Sequence, residues 1–440
     1  MLTLTEDTML GDIPGDWSSK PLLEALSEHY PGDWGEDRGP HMTKVLRSTN
    51  LTNEGRLDLE NIALRALPQK KAELLAPKRH DILLERSGGG PGQPVGRVGF
   101  IEADMLGHGF SNFLHLLRPN PEKINPRFLG WVLYRINQTG RIIRLEQQTT
   151  QMRNLNFRDY LTMPVPVPPP SEQAAIARIL DAVEKALERI RARLAAAKTL
   201  AASLAEEAVS GKLITAGMRS CEGSVWTHPR MGTIPTGWSV DRLGKLCARI
   251  VDGTHQAVET SNNGVPFLYV SCIREGRILW KNASSITERT YTRISKGREP
   301  QAECVLYTAV GSYGNPALVS TSDRFSFQRH IAILYPKITC LRGGYLAIWL
   351  NSSKGRRWSE IHAVGNAQKT VTLTELGKLL IAFPSPEVQA ELCKIVASAD
   401  AVVDAINDQL DALNDLRRSF MHDLLTGRVR VTNTIKAAAP

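Results

Sequence analysis

In the stretch 170–210 the apolar positions Ile176, Leu180, Val183, Leu187, Ile190, Leu194, Ala197, Ala201, Leu204 and Ala208 alternate spacings of four and three without a break. That is a heptad seam, and it predicts one long helix. The seam returns near the C-terminal end of the sequence at Leu392, Val396, Ala399, Val403, Ile406, Leu410, Leu413, Phe420 and Leu424, with Arg417 as its one polar member. Pro170 with Ser171 and Glu172 suits a helix start, as does Pro386 with Glu387; Gly211 and Gly427, each followed by a basic residue, suit helix ends. Roughly 40 residues at ~1.5 Å each make a rod of about 60 Å. An apolar stripe of that length needs a partner. Each helix is the other's natural partner about a pseudo-twofold axis, and a zipper between two copies of the chain is the alternative.

Outside the helices the pattern changes to short apolar runs. Asp81-Ile82-Leu83-Leu84 and Glu303-Cys304-Val305-Leu306 read as strands, each followed by a Gly-rich turn, Ser87-Gly88-Gly89-Gly90 in one and Gly311-Ser312-Tyr313-Gly314 in the other. Val95 to Ile101 and Ala317 to Ser320 read as return strands across tight hairpins, and the runs beginning at Phe128 and Tyr345 as helices. The class is mixed α/β, and it occurs twice. Gly11-Asp12-Ile13-Pro14 with Trp17 and Ser18 is matched at identical spacing by Gly232-Thr233-Ile234-Pro235 with Trp238 and Ser239. Pro170-Ser171-Glu172-Gln173-Ala174 is matched by Pro386-Glu387-Val388-Gln389-Ala390, and Ser210-Gly211-Lys212-Leu213 by Thr426-Gly427-Arg428-Val429, these two pairs sharing one offset. A repeat of this length fixes the organisation as domain, helix, domain, helix.

Charge follows the same division. Residues 1–37 carry one Lys against nine acids, 38–168 a net +8, 169–221 a net +2, 222–383 a net +9 and 384–440 a net −2. Two separate basic blocks suit a polyanion that touches two modules. The six cysteines all lie in the second half, with no CxxC, so structural zinc and a disulfide framework are excluded in favour of free, mostly buried thiols. No apolar run reaches membrane-spanning length, and the opening stretch lacks a basic start and an apolar block, so a cytoplasmic location without membrane contact is expected. Catalytic signatures are missing: GxxxxGK[ST], HExxH, the Asn/Asp-Pro-Pro-aromatic motif of amino-methyltransferases and the carboxylate-x-Lys pair of many nucleases are all absent.

Two variable α/β domains, each opened by Gly-x-Ile-Pro-x-x-Trp and closed by Pro-x-x-Gln, a long heptad helix and a Gly-Lys/Arg stop, resemble the specificity subunit of a type I restriction-modification enzyme. The resemblance implies two tandem α/β (α+β) target-recognition domains, each followed by a long helix, with the helices paired as an antiparallel coiled coil. It divides the chain into target-recognition domain 1 at 1–168, the first spacer helix at 169–213, a linker at 214–231, target-recognition domain 2 at 232–383, the second helix at 384–429 and a flexible tail at 430–440. It further implies a non-catalytic subunit that reads a bipartite double-stranded DNA target. Modification subunits, expected as two copies, dock onto such a chain, and restriction or translocase subunits can join them. S-adenosylmethionine, ATP and Mg²⁺ then belong to the partners, and this chain needs no cofactor.

Base contacts are expected from the residues that flank the Gly-rich turns and phosphate contacts from the Lys/Arg-rich stretches beside them. In the first domain the candidates are Lys70, Lys71, Lys78, Arg79, Arg86 and Arg97. In the second they are Lys281, Arg289, Arg293, Lys296 and Arg298, with Ser312, Tyr313, Asn315, Arg329 and His330 around the turn, Tyr313 expected to be exposed. Partner docking is expected on exposed helix faces, at Glu184, Lys185, Arg189 and Arg193 on one helix and Asp404, Asp408, Asp411 and Asp415 on the other. The competing reading is a coiled-coil adaptor whose basic modules bind protein or another polyanion.

Overall fold

A computed structural model describes residues 4–89, 92–149, 152–213, 225–228, 231–320, 324–366 and 368–431. Cys221, most of the expected linker and residues 432–440 of the expected tail lie outside them. The described chain forms two compact units, one from Met1–Arg191 with Gln409–Pro440 and one from Ala192–Asp408. Each unit therefore takes half of each long helix.

The long helices run Pro170–Ser210 and Pro386–Leu425. Both begin at the proline the sequence marks, whose missing N–H is no loss in the first turn. Both end at a glycine in the left-handed region, Gly211 at φ 75° and Gly427 at φ 67°. A Cβ at Gly211 would collide with the Pro235 ring, and one at Gly427 with the Pro14 ring. The Ile-Pro repeat is thus the surface on which the opposite repeat's helix stops: Pro14 receives the end of the second helix, Pro235 the end of the first.

Within the first unit, Ile176, Ala177 and Leu180 share a core with Met421, Leu424 and Leu425, so the start of one helix lies against the end of the other. Within the second, Ala208 and Val209 share a core with Leu392 and Val396. Arg417, the polar interruption of the seam, donates to Glu184 at 3.0 Å; Arg56 also pairs with Glu184. Burial alone would raise the Glu184 carboxyl, but Arg417 and Arg56 outweigh it and hold it below the usual range. This corrects one expectation: Glu184 is 6% exposed and is no part of a solvent-facing docking surface.

The repeated glutamine has one task in both units. The Asn125 N–H donates to Gln173 Oε1 and Gln173 Nε2 donates to the Pro168 carbonyl, both at 2.7 Å. The Arg342 N–H donates to Gln389 Oε1, and Gln389 Nε2 donates to the Pro384 carbonyl, both at 2.8 Å. In each copy the side chain ties the first turn of the long helix to the start of the helix Pro126–Gln138 or Gly343–Asn351. Both glutamines are buried, so these groups have no water to fall back on.

Each unit holds several small sheets, with a four-stranded one at its centre. In the first its order is Leu26–Pro31, Leu114–Pro119, Ile82–Glu85, Val98–Phe100; in the second it is Cys247–Asp252, Ile331–Pro336, Val305–Thr308, Pro316–Leu318. One local expectation needs correction. The turn after Glu85 is not a tight hairpin: Ser87–Gly88 pairs with Asn154 and Arg153 before the chain returns at Val98. Val225–His228, expected within the linker, pairs with Gly232–Pro235. Cys247, Cys272, Cys304, Cys340 and Cys393 are free, and among the described residues no helix is long and apolar enough to cross a membrane.

Candidate nucleic-acid interface

In the second unit Asp252, Thr308 and Ile331 lie side by side at one edge of the central sheet. The segments that leave this edge, 253–255, 309–315 and 328–330, are braced to one another by backbone bonds. The Ala309 N–H donates to the His330 carbonyl at 2.8 Å and the Arg329 N–H to the Thr254 carbonyl at 3.0 Å. The Gly311 N–H donates to the Lys369 carbonyl at 3.1 Å, bringing a fourth segment in. His255, Gln328, Arg329, His330, Ser312 and Lys369 are gathered on this edge. Loops held by their own backbones can present side chains to a groove without an ordering cost at binding.

Gln328 Nε2 lies 2.9 Å from His330 Nδ1, and Arg329 Nε donates to His330 Nε2 at 3.3 Å. Partial burial, then the charges of Arg329 and His255, lower the His330 pKa. A neutral imidazole here accepts as well as donates. His255 is paired with Asp252 at 2.6 Å.

The first unit repeats the arrangement. Pro31, Leu114 and Glu85 end at one sheet edge, and the segments 32–33, 111–113 and 86–89 leave it. The Asp33 N–H donates to the Phe110 carbonyl at 2.8 Å, as the Thr254 N–H does to the Phe327 carbonyl at 3.0 Å. A Cβ at Gly32 would collide with the Phe110 and Ser111 carbonyls, and one at Gly253 with those of Phe327 and Gln328. Gly32 and Gly253 are separated by the same offset as the two copies of the Ile-Pro motif. That shared offset is the one signal in the sequence that marks this edge.

The expected site residues divide accordingly. Arg86 is at the first edge, its guanidinium 5.4 Å from the Phe157 ring centroid. Lys71 reaches the same edge through an ion pair with Asp33, and Lys70 is its exposed neighbour on the helix Gln69–Leu74. Lys78 and Arg79 are exposed but precede the strand Ile82–Glu85, so they lie at its opposite end from Arg86. Arg97 is turned inward: Nε and one terminal nitrogen hold Glu85 at 2.9 and 2.8 Å, while the Leu51 and Ser48 carbonyls accept at 2.7 and 3.0 Å. Four bonds occupy its donors, which makes it a structural brace.

In the second unit Arg329, His330 and Ser312 are at the edge, and Arg298 joins them by donating from Nε to the Asp252 carbonyl at 2.8 Å. Lys296 is exposed beside it, and Arg289 and Arg293 are exposed on the helix Glu288–Ser295. Lys281 is exposed on the turn Trp280–Asn282. Asn315 closes its own loop, its Nδ2 donating to the Ser312 carbonyl at 2.8 Å and its N–H to Thr308 Oγ1 at 2.9 Å. Tyr313 is half-buried against the core rather than exposed, a further correction. The residues that sequence reasoning missed here are His255, Gln328 and Lys369.

Residues 35–198 match the family model for the type I restriction modification DNA specificity domain. The chain is 23% identical over 445 aligned positions to a protein named for the MjaX type I restriction enzyme specificity subunit of Methanocaldococcus jannaschii, covering 96% of each. It is also 23% identical to the EcoBI type I restriction enzyme specificity subunit of Escherichia coli, over 70% of this chain and 66% of that protein. Among solved structures, a chain from a study of assembly and conformational transition in a type I restriction-modification system aligns with TM-score 0.58 at 16% identity, covering 95% of this chain and 99% of that one. The S subunit of a type I system from M. genitalium aligns with TM-score 0.56 at 14% identity over 96% and 98%. At these identities the structural likeness speaks to the fold.

Proposed function

We propose that this chain is a specificity subunit of a type I restriction-modification system and that it reads a bipartite double-stranded DNA target, one half-site per target-recognition domain. The observation that carries the reading is the pair of equivalent sheet edges at Gly32 and Gly253; Gly253 lies inside a basic segment of the chain, and the first edge draws its cations Arg86 and Lys71 from the basic segment 38–168. Arg86 and Lys71 serve the first half-site; Arg329, His330, Ser312 and Arg298 serve the second, with Lys296, Arg289, Arg293 and Lys281 on flanking phosphates. Charge on phosphates supplies affinity that falls with salt, and the edge side chains supply discrimination.

The two long helices act as an antiparallel coiled coil between the domains 1–168 and 232–383, converting helix length into a fixed, unread spacer. The geometric logic is that of dimeric readers, whose architecture sets half-site spacing. Modification subunits, two by the repeat, dock along exposed positions of this rod, Lys185, Arg189 and Arg193 on one helix and Asp408, Asp411 and Asp415 on the other. The chain performs no chemistry itself: S-adenosylmethionine, ATP and Mg²⁺ act on the partner subunits, and restriction subunits join through the same assembly.

Mapping methylated positions in DNA from cells with and without this gene tests the reading. The expected result is one two-part sequence that loses methylation when the gene is removed. Unchanged methylation, with no sequence-selective binding by the chain co-expressed with its methyltransferase, would favour the adaptor reading.

A further inference from the structure

The second unit contains a cavity of about 470 Å³ whose chemistry differs from that of the sheet edge. One wall is the helix Ser353–His362, which presents Lys354, Arg357, Trp358, Ile361 and His362 to it. Their spacings of three and four place them on one helical face. Trp349 forms another wall; it is 2% exposed, and its indole nitrogen is buried with no hydrogen-bond partner among the described residues. An indole N–H in the interior normally finds an acceptor.

The rim is basic and incompletely neutralised. Lys378 is answered by Glu375 at 2.6 Å, but Lys354 and Arg357 are exposed and no described acid pairs with either. Ile361, part of the wall, is 66% exposed, so the apolar lining reaches the surface, and Val364, three residues further along the chain, is 58% exposed. DNA phosphates would explain the two cations and leave the apolar floor unexplained. A small anion would leave Ile361 and Val364 uncovered.

We propose that this cavity is a docking site for a protein segment that inserts one large apolar side chain and carries acidic residues on either side of it. The apolar side chain fills the floor against Trp358, and the flanking carboxylates meet Lys354 and Arg357. Ser359, on another face of the same helix, is 2.8 Å from the Tyr307 hydroxyl and packs beside Gly314. A segment seated here therefore touches the helix that backs the 311–315 loop.

The probes are fluorescein-labelled peptides, read by fluorescence polarisation with the full chain: a Glu-rich peptide with a single Phe, its Phe→Ala version, and its Lys-rich counterpart. The Glu-rich Phe peptide should bind, and each altered peptide should bind roughly tenfold more weakly or worse, because both the pocket and the charge contribute. The double variant Lys354→Glu/Arg357→Glu and, separately, Ile361→Asp should each weaken that peptide by a similar factor. All three substitutions are at exposed positions, and unchanged thermal melts confirm folding. Equal binding of all three peptides, or binding that survives both variants, would overturn the proposal. Displacement of the peptide by an unrelated DNA duplex, lost in the Lys354→Glu/Arg357→Glu variant, would reassign the cations to nucleic acid and overturn it as well.

Discussion

Removing the Gln173 side chain would leave the Asn125 N–H and the Pro168 carbonyl buried without partners; Gln389 holds the equivalent pair in the second unit. A buried polar group left unmatched costs about 1–3 kcal/mol. Gln173→Ala and Gln389→Ala should each lower stability by roughly that amount, read as a shift in the urea midpoint, and their effects should add because the sites share no partner. A second residue-scale prediction concerns His115, which is 4% exposed and 3.2 Å from His29. Burial first, then the charges of His29 and Arg86, push its pKa down from 6.5 to about 3. The fold holds it neutral, so its contribution is intact above 6.5 and is lost progressively as pH falls from there toward 3. His115→Gln should flatten the decline in melting temperature between neutral and acid pH; an unchanged slope would show that other groups set it. At this scale the sequence was legible as pattern and not as role. The repeat exposed Gln173 and Gln389, yet nothing in spacing distinguishes a buried staple from a surface amide. Arg97 looked like a phosphate ligand because its basicity is visible in sequence and its partner Glu85 is not.

The long helices were readable because their period is local and unbroken over 41 and 40 residues. Their one polar seam position, Arg417, makes sense only once Glu184 is opposite it, a pairing of positions far apart in the chain. The sheet edges were less readable: their strands are three to six residues long and pair with partners distant in sequence. If the helices set the spacer, inserting or deleting one heptad within residues 190–205 should change the preferred spacing between half-sites or abolish activity, while the half-site sequences stay as they are. A methylation map showing altered half-sites would contradict the ruler. Among the loops, neutralising Arg293 and Lys296 should weaken cognate and scrambled duplexes alike and reduce the salt slope by about one for each phosphate no longer neutralised. Arg329→Ala should instead cost about 1–3 kcal/mol on the cognate duplex alone. Filter binding across a salt series, with the methyltransferase present, separates the two outcomes.

Across the whole molecule, the segment that follows Asp408 completes the unit built from the first residues. Met421, Leu424 and Leu425 lie in the first unit's core, and Arg430 donates to Glu172 at 2.8 Å and holds Asp16 through two further bonds. A ribosome releases residues in order, so the first unit emerges with its apolar helix stripe at Ile176 and Leu180 uncovered and stays so until Met421 to Arg430 arrive. The second unit, drawn from the contiguous span Ala192–Asp408, can close first. A nascent chain therefore spends most of its synthesis with an adhesive surface waiting for a remote segment. Ending translation after Asp408 should leave the second unit resistant to protease while the first is digested or carried into aggregates. Supplying residues 409–431 as a separate peptide during refolding should restore protection to the first unit, as judged by limited proteolysis. If the truncated first unit is protected without that peptide, the C-terminal segment is dispensable to its folding.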